Sequence, residues 1–547
     1  MKKILKVNAN DDMIVALADL EAGETVNWDG EEYIIQEKIP AKHKFAVKDF
    51  EINSLLKMYG VVVGYATKLI KRGRLISTEN LKHASADYHE KTQSYQWEAP
   101  QSVAKYANRT FNGYHRPDGK VGTANHWLFI PTVFCENRNL DVIREALHNA
   151  LGYNISDKYK AKAQKLVDLF KSGLSIEEAD LQLKEEELHT SRLFPNVDGI
   201  KFLNHQGGCG GTRQDSATLS VLLAAYADHP NVAGVTILSL GCQHLQVEHL
   251  KNDIYKRNPN FNKPLLCFEQ QQSQSEEQLL SDAIKQTFLG LIEINKFTRQ
   301  PAPLTKLTLG VKCGGSDGFS GISANPAVGY AADILVGLGG KVLLAEFPEL
   351  NGVEQELVDR CVDSPSAEKF IRLMRSYSAQ AKSVGSGFDM NPSPGNIKDG
   401  LITDAIKSAG AAKKGGTAPV SDVLDYTEPA LKPGLSLVCT PGNDVEATTG
   451  KAAAGANLIL FTTGLGTPTG NPICPVIKIS TNTALAQRMA DIIDLDTGGI
   501  IRGESSIEEM GERILDFCIA VASGEILAKS VKLGQDDFIP WKRGISL

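Results

Sequence analysis

The chain has 547 residues, of which 42% are hydrophobic and 22% are charged, and its formal net charge at pH 7 is -7. This length and composition are typical of a globular protein of about three domains. The mild charge and the scattered lysine and arginine residues argue against a nucleic-acid or membrane partner and favour a small-molecule ligand. The N-terminal apolar stretch is too short for a secretory signal, and no apolar run approaches the roughly 18 residues of a membrane span.

Residues 1–90 alternate short β-type runs with glycine-containing turns, which predicts a small β domain. Residues 91–194 follow as a polar connector, a first strand of the main domain and a helical segment whose apolar residues recur at a spacing of three and four. Three helices are predicted in that segment, from VIREALHNAL, YKAKAQKLVDLFKSG and IEEADLQLKEEELH. Their mixed charges are typical of solvated helix faces.

Residues 195–547 contain short apolar runs that end abruptly at polar loops, with helical segments between several of them. Apolar strands that alternate with helices indicate a parallel sheet covered on both faces. Ligands of such sheets bind at the carboxyl ends of the strands, so we expect the loops to form one site at one edge of one sheet. The seven loops are HQGGCGG, GCQH, QQQSQSE, KCGGSD, FPELNG, PGNDVEATTG and GLGTPTGNP.

Hydroxyl, amide and carboxylate side chains in these loops are candidates for binding a polyhydroxylated ligand. Each of them could instead be an ordinary turn or capping residue. The candidates are Ser316, Asp317, Asn325, Asn391, Asn396, Thr449 and Asn482. No dinucleotide or Walker motif accompanies them, because the glycines of GLGTPTG have the wrong spacing.

Three of the nine cysteines, Cys209, Cys242 and Cys313, each follow a predicted strand and lie next to a glycine. Three converging thiolates suit iron, zinc or an iron–sulfur cluster with one open iron. The alternative is that each cysteine packs as a small buried hydrophobe. The odd number of cysteines and the lack of close-spaced pairs do not fit a disulfide framework, so we expect a reduced, cytoplasmic protein.

Several long motifs, in order, resemble the altronate and galactarate dehydratase family of sugar-acid dehydratases. In the region 195–547 these motifs are KCGGSDGFSGISANPAVG, EFPELNGVE, NPSPGN, KKGGTAPVSDVLDY, TPGNDVEATTGKAAAGANLILFTTGLGTPTGNPICPVIKISTNT and FIPW. IPAKHKFAV, MYGVVVGYAT and ISTENL resemble the family's small N-terminal domain of the β-clip (SAF) type. The resemblance implies an α/β protein, with an SAF-like β domain followed by a large Rossmann-like, mostly parallel α/β catalytic domain.

The resemblance also implies a hydro-lyase that removes water from a sugar acid and gives a 2-keto-3-deoxy acid. The chemistry requires a base, an acid and a cation, because a proton leaves from beside a carboxylate and hydroxide leaves from the next carbon. Altronate is expected ahead of galactarate or a related aldarate. The alternatives are elimination of another leaving group, such as sulfite from a sulfonated hydroxy acid, and a non-catalytic sugar-acid binding protein. Ferrous iron is the expected cofactor, with manganese, another divalent ion or an iron–sulfur cluster as alternatives; homodimers are common for sheet proteins of this size.

Three residues are candidates for proton transfer. His205, beside Cys209, could act as a base or a metal ligand, or could be an ordinary loop histidine. His43 matches the family's N-terminal histidine. Where the family pattern has a His-Thr-His-Asn run, this chain has Ser-Thr-Glu-Asn, which leaves Glu79 to bind a metal or take a proton. GTANHW likewise replaces the usual Gly-Thr-Arg-Asn pattern, so an arginine that could pair with a substrate carboxylate is missing.

Overall fold

The computed structural model describes residues 2–154, 157–177, 179–182 and 191–546. The chain forms two compact units. Unit 1 contains residues 1–112 and 301–529, and unit 2 contains residues 113–300 and 530–547. These units follow different boundaries from the predicted divisions near residues 90 and 194, because each unit is built around its own parallel sheet.

The elements are numbered in chain order. The strands are β1 (Ile4–Leu5), β2 (Met13–Ala16), β3 (Thr25–Trp28), β4 (Glu31–Ile34), β5 (Lys44–Ala46), β6 (Leu55–Met58), β7 (Val61–Ala66), β8 (Leu75–Ile76), β9 (Leu81–Lys82), β10 (Thr110–His115), β11 (Val121–Gly122), β12 (His126–Pro131), β13 (Gly199–Phe202), β14 (Val232–Ser239), β15 (Leu265–Glu269), β16 (Gln300–Pro303), β17 (Thr308–Cys313), β18 (Lys341–Ala345), β19 (Val420–Leu424), β20 (Gly434–Val438), β21 (Leu458–Thr463), β22 (Val476–Ser480) and β23 (Leu495–Asp496). The α-helices are α1 (Val103–Tyr106), α2 (Asn137–Leu151), α3 (Asp157–Lys171), α4 (Arg213–Asp228), α5 (Val247–Arg257), α6 (Glu276–Ile294), α7 (Ala324–Gly337), α8 (Glu354–Arg360), α9 (Ser364–Ser383), α10 (Pro394–Lys398), α11 (Asp404–Ala412), α12 (Asp444–Ala454), α13 (Thr483–Arg488), α14 (Gly498–Arg502), α15 (Ile507–Ala522) and α16 (Lys529–Lys532).

The N-terminal region of unit 1 is a β structure, as the sequence predicts. Its strands form small antiparallel sheets in the orders β1-β2-β5-β8, β3-β4 and β6-β7-β9. Alternating apolar residues of these strands, such as Ile14, Val26, Tyr33 and Phe45, pack into one buried core. Short strands of this kind need such a shared core, since an isolated hairpin is at best marginally stable.

The rest of unit 1 is organised by a seven-stranded sheet in the order β19-β20-β18-β17-β21-β22-β23, in which all neighbours are parallel. The strands β17, β20, β21 and β22 are buried along their whole length, as expected when helices cover both faces. From the central β17 the chain continues to β18 on one side and returns later to β21 on the other. The carboxyl end of β17 is therefore a point where the strand order reverses, which is where such sheets bind ligands.

Unit 2 contains a separate four-stranded parallel sheet in the order β13-β12-β14-β15. The expectation of seven loops on one sheet is therefore wrong. HQGGCGG, GCQH and QQQSQSE follow strands of the four-stranded sheet, whereas the other four loops follow strands of the seven-stranded sheet. Apolar runs reveal buried strands, but which strands pair is decided by long-range packing that these short runs do not encode.

The helices around both sheets agree with the sequence pattern. The two apolar-periodic runs after residue 137 form α2 and α3, and the predicted third helix, IEEADLQLKEEELH, lies largely outside the described residues. In unit 2, α2 and α6 pack on a core that includes Trp127, Leu140 and Leu291. Within the described ranges no helix is both long enough and apolar enough to cross a membrane.

Candidate active site

Charged side chains are buried together at the carboxyl edge of the seven-stranded sheet in unit 1. They come from the end of β17, the turn after β18, the region of α11 and the helix α12. The lysine–glutamate cluster, as we call it, consists of Lys312, Cys313, Glu346, Glu349, Lys407, Lys414, Asp444 and Lys451. Charged groups are costly to bury unless they are paired, so such a cluster is a candidate for function.

Glu346 is the centre of the cluster and is completely buried. Its carboxylate contacts the Lys312 ammonium group directly, and its Oε2 atom lies 3.8 Å from Lys414 Nζ and 3.9 Å from Lys451 Nζ. Glu346 also has a left-handed backbone with φ of 72°, which is costly for a residue other than glycine. The surrounding sheet thus holds the Glu346 carboxylate among three lysines in spite of the strained backbone. The backbone N–H of Glu346 donates to Thr440 Oγ1 at 3.0 Å.

Lys312 connects this centre to the more exposed side of the cluster. Its ammonium group lies 2.8 Å from Asp444 Oδ1, and the Asp444 side chain is 32% exposed. Burial by itself would lower the pKa of Lys312, but the attraction of Glu346 and Asp444 outweighs burial and raises that pKa well above its usual value. Lys312 is therefore a permanent buried cation.

Glu349 forms a second ion pair, with Lys407 Nζ 3.0 Å from its Oε1 atom. Burial opposes ionisation, yet Lys407 and Lys312 attract the carboxylate strongly enough to lower the pKa of Glu349 to about 2. Asn391 contacts both partners, since its Oδ1 atom accepts from Lys407 at 2.7 Å. Its amide lies 3.5 Å from Glu349 Oε1. Glu349 is thus an ionised carboxylate whose position is set by a cation and an amide.

Lys451 differs from the other lysines because its Nζ atom has no hydrogen-bond partner among the described residues. The side chain is completely buried in α12. Burial is the main cause that lowers the pKa of Lys451 to about 7, and the attraction of Glu346 opposes it only in part. A lysine with such a pKa is substantially neutral near pH 7 and can accept a proton.

Asp317, a predicted ligand-binding residue, is fully buried and is held by protein groups. Lys42 Nζ lies 3.0 Å from its Oδ2 atom, and Thr481 Oγ1 donates to the same oxygen at 3.1 Å. Asn482 Nδ2 also donates to Oδ2, at 3.3 Å. The structure therefore gives Asp317 a role in holding three segments of unit 1 together.

The other predicted ligand-binding side chains are mostly buried, and several cap helices. Asn482 caps α13 by accepting from Leu485 N at 2.9 Å, and Asn396 forms a capping box with Ser393 at the start of α10. Asn325 donates to Gly410 O at 2.9 Å. Thr449 is buried within α12, and the buried Ser316 Oγ has no hydrogen-bond partner among the residues that the structure describes. Asn391 contacts Glu349 and Lys407 of the lysine–glutamate cluster. The binding role of the set stays a prediction.

The three predicted proton-transfer residues have different environments. His205, in unit 2, uses both ring nitrogens, since Nε2 lies 2.8 Å from Pro131 O and Gly207 N donates to Nδ1 at 3.1 Å. Burial lowers the pKa of His205 to about 4, so its ring is neutral. His43 is partly buried beside Lys42 in unit 1, and Glu79 is exposed. None of the three belongs to the lysine–glutamate cluster, and their catalytic roles stay predictions.

The three predicted metal ligands also differ in their exposure to solvent and in the unit to which they belong. Cys209 and Cys242, in unit 2, are exposed, and Cys313, in unit 1, is buried. Lys414 Nζ donates to Cys313 Sγ at 3.2 Å, and burial raises the pKa of the thiol. Across the described ranges, no three His, Cys, Asp or Glu side chains form a group that could hold a metal ion. The cluster's carboxylates face ammonium groups, so they do not by themselves suit a metal ion.

The lysines of the cluster are not among the site residues that the sequence predicts. Lys312 interrupts the buried strand TLGVKC, and Lys451 lies in the buried segment ATTGKAAA of α12. A parallel strand buried on both faces is normally apolar throughout. A lysine at such a position is the signal that could have identified the cluster.

The parallel sheet, the loops at its carboxyl edge and the buried acid–base groups are typical of an α/β enzyme. Its charged site suits proton transfer on a small anion. Three family models match the chain: "Altronate/galactarate dehydratase SAF domain" over residues 2–84, "D-galactarate dehydratase/Altronate hydrolase, second domain" over 113–295, and "D-galactarate/Altronate dehydratase, C-terminal" over 304–546. The chain belongs to the altronate/galactarate dehydratase family, and its relatives named altronate dehydratase and galactarate dehydratase are hydro-lyases. The predicted family, fold class and enzyme class are confirmed.

Curated relatives match nearly the whole chain. The altronate dehydratase of Bacillus subtilis (strain 168) is 31% identical over 527 residues, which cover 96% of each protein. The altronate dehydratase of Escherichia coli (strain K12) is 31% identical over 521 residues, or 95% of each. The galactarate dehydratase (L-threo-forming) of Escherichia coli (strain K12) is 31% identical over 526 residues, which cover 95% of this chain and 93% of that protein.

Proposed function

We propose that this enzyme dehydrates altronate to a 2-keto-3-deoxy acid and depends on a divalent metal, ferrous iron first. The acid–base part of this proposal rests on the lysine–glutamate cluster. In this cluster Lys451, which can lose its proton, lies beside lysines such as Lys312 that stay protonated. The similarity to two altronate dehydratases over at least 95% of the chain supports altronate as the substrate. All nine cysteines are free, which supports a reducing, cytoplasmic location.

The reaction needs a proton acceptor beside the substrate carboxylate. Lys451 has this property because its neutral amine is stable near pH 7 and is not committed to a hydrogen bond within the described structure. Lys312, Lys407 and Lys414 supply positive charge where the enediolate develops negative charge. Fixed charges in a buried site stabilise such an intermediate more strongly than charges in solution do.

Metal dependence is a distinct part of this proposal and comes from the family resemblance. The three predicted cysteine ligands belong to two units, and the described donors of unit 1 do not by themselves suit an ion. Bound metal would supply a Lewis acid for the substrate carboxylate and hydroxyl. The chelator arm of the assay below tests this part without reference to the lysines.

The assay uses enzyme purified without oxygen, then incubated with ferrous iron and separate aldonates and aldarates. We expect keto acid from altronate, its loss on addition of a chelator, and its loss in Lys451→Met but not in the exposed control Lys432→Met. Keto acid from galactarate alone would favour the second candidate, which the similarity to a galactarate dehydratase supports. Binding of altronate without any keto acid would contradict catalysis and indicate a sugar-acid binding protein.

A further inference from the structure

A buried carboxylic acid beside the lysine–glutamate cluster has no part in the reaction proposed above. Asp404, the first residue of α11, is 1% exposed. Asn351 Nδ2 donates to its Oδ2 atom at 2.6 Å, whereas its Oδ1 atom has no hydrogen-bond partner among the described residues. Buried polar atoms are nearly always hydrogen-bonded, so a free carboxyl oxygen at this position is a candidate for function.

Asp404 is held by the same two segments that form the ion pair between Lys407 and Glu349. Along α11, Asp404 and Lys407 are three residues apart and are therefore neighbours on one face of the helix. Lys407 Nζ lies 3.0 Å from Glu349 Oε1. Asn351, which donates to Asp404, directly follows the turn that contains Glu349. The Asp404 carboxyl group is thus positioned at the border of the cluster.

Asp404 differs from Glu349 in its protonation. Burial is the main cause that raises the pKa of Asp404 to about 8, and the Glu349 and Glu354 carboxylates raise it further. The hydrogen bond from Asn351 and the Lys407 ammonium group oppose this shift only in part. The titratable groups that face Asp404 are Glu349, Glu354, Lys407 and, at the start of the same helix, His83. Asp404 is therefore a neutral acid at pH 7, whereas Glu349 is ionised.

The proposed dehydration requires an acid of this kind. The C–O bond of the leaving hydroxyl group breaks with its electron pair on oxygen, and a proton must reach that oxygen to give water. Lys312 is a poor donor, because its carboxylate neighbours raise its pKa well above the usual value. An acid whose pKa lies near the working pH gives up its proton more readily, and Asp404 has this property.

We propose that Asp404 is the proton donor for the leaving hydroxyl group, a role that rests on the proposed function. Its proton lies on Oδ1, because Oδ2 already accepts from the Asn351 amide. Lys451 takes the proton from the carbon beside the substrate carboxylate, the C–O bond breaks, and the Asp404 proton completes the water molecule. The enol then rearranges to the keto acid with no net change in protons. Transfer of one proton from Lys451 to the Asp404 carboxylate restores the enzyme.

The first test is the alkaline limb of the pH profile for keto acid formation by the full, iron-loaded chain. We expect kcat/KM of the parent to fall as the pH rises above about 8, where Asp404 loses its proton. Asp404→Asn should lower kcat by about 10²–10⁴ and remove this limb. Glu368→Gln, at an exposed position of α9, should change neither. Melting temperatures check that each variant folds.

Two neighbouring substitutions should move the alkaline limb in opposite directions, which a purely structural role of Asp404 would not produce. Asn351→Leu removes a donor that favours the ionised carboxyl group, so the limb should move to higher pH. Glu354→Gln removes a nearby negative charge, so the limb should move to lower pH. A limb that stays in place in both variants would overturn the proposal.

A change of leaving group tests proton donation itself. Fluoride is a much weaker base than hydroxide and leaves with less help from an acid. An altronate analogue with fluorine in place of the leaving hydroxyl group should therefore recover most of its turnover in Asp404→Asn. Equal losses of turnover with both substrates would rule out proton donation.

Infrared difference spectroscopy measures the protonation of Asp404 without substrate or metal. We expect the carbonyl band of a protonated carboxyl group to disappear as the pH rises through about 8, and this band to be missing in Asp404→Asn. Its absence from the parent would overturn the proposal. Keto acid formation with an unchanged pH profile in Asp404→Asn would contradict this role alone. A parent that turns over no sugar acid would contradict the proposed function, and the role of Asp404 with it.

Discussion

At the scale of single residues, the buried lysines have different chemistry because their partners differ. Lys312 faces Glu346 and Asp444, and this double attraction keeps it protonated. Lys451 has Glu346 as its one ion-pair partner among the described residues, with 3.9 Å between Nζ and Oε2, and burial dominates its pKa. A protein can thus obtain a cation and a base from the same residue type by changing the number and distance of the neighbouring carboxylates.

We expect Lys451 to determine the acid limb of the pH profile. Below its pKa of about 7, Lys451 is protonated and cannot accept a proton, so kcat/KM should fall about tenfold per pH unit. Lys451→Met should lower kcat by about 10²–10⁴ and remove this limb, while Lys432→Met should keep it. Steady-state kinetics from pH 5 to 9 measure both effects, and an unchanged acid limb in Lys451→Met would show that another group is titrating.

The same pKa has a consequence for stability. Lysine titrates near 10.4 in an unfolded chain and near 7 here, so between these values the unfolded state binds more protons. The cost to the folded state is complete below pH 7 and disappears as the pH rises toward 10.4. Lys451→Met should therefore unfold at no lower urea concentration than the parent at pH 7, which separates loss of activity from loss of folding.

At the scale of elements, the packing of unit 2 depends on small residues around Trp127. This side chain of β12 is completely buried, and its indole N–H donates to Thr236 Oγ1 at 2.9 Å. A Cβ atom at Gly234 of β14 would lie 2.3 Å from the indole ring, and one at Gly290 of α6 would lie 2.0 Å from it. The two glycines thus provide the space for the largest side chain of the core.

We expect Gly290→Ala to destabilise the protein, although alanine normally favours a helix by about 1 kcal/mol over glycine. The added methyl group would overlap the Trp127 ring, and overpacking of this kind costs about 1–3 kcal/mol. Urea denaturation measures the change in the free energy of unfolding. Gly395→Ala in α10 is the matched control, because its nearest neighbour would be 4.0 Å away; a stabilised Gly290→Ala would show that the tryptophan moves freely.

At the scale of the whole chain, distant segments of unit 1 are joined by ion pairs of Lys42, one of which is with a fully buried carboxylate. Lys42, next to β5, lies 3.0 Å from Asp317 and 3.1 Å from Asp399, both of which follow in the sequence by more than 270 residues. Lys44 Nζ donates to Gly400 O at 2.6 Å in the same region. The N-terminal β strands are therefore attached to the loops of the seven-stranded sheet through the segment that contains His43.

Lys42→Met should cost about 3–5 kcal/mol of unfolding free energy, because it removes the ammonium group that pairs with the fully buried Asp317 carboxylate. Lys38→Met, at an exposed ion pair with Glu21, should change stability by less than about 1 kcal/mol. Chemical denaturation of both variants provides the comparison. Equal stabilities would indicate that the Lys42 pair contributes little and that other contacts hold the N-terminal strands.

Much of the fold follows from local patterns in the sequence. Apolar runs of five or six residues predict strands such as β17 and β21, and amphipathic periodicity predicts helices such as α2 and α6, because side-chain repeats reflect local backbone geometry. The long motifs also identify the family, since they preserve the loops at strand ends. The hydroxyl- and amide-bearing loop residues are visible in the same way, but several of them turn out to cap helices.

Only the tertiary structure divides these strands between two sheets and gathers the lysines around Glu346. Strand pairing depends on contacts between segments that are far apart in sequence. An isolated apolar run therefore does not indicate which strand it pairs with. The proton-accepting character of Lys451 likewise depends on complete burial and on the 3.9 Å to Glu346, a residue more than 100 positions earlier. The sequence thus determines the residue types and the local elements. The pairing of strands in a sheet and the pKa values of buried groups are instead properties of the folded environment.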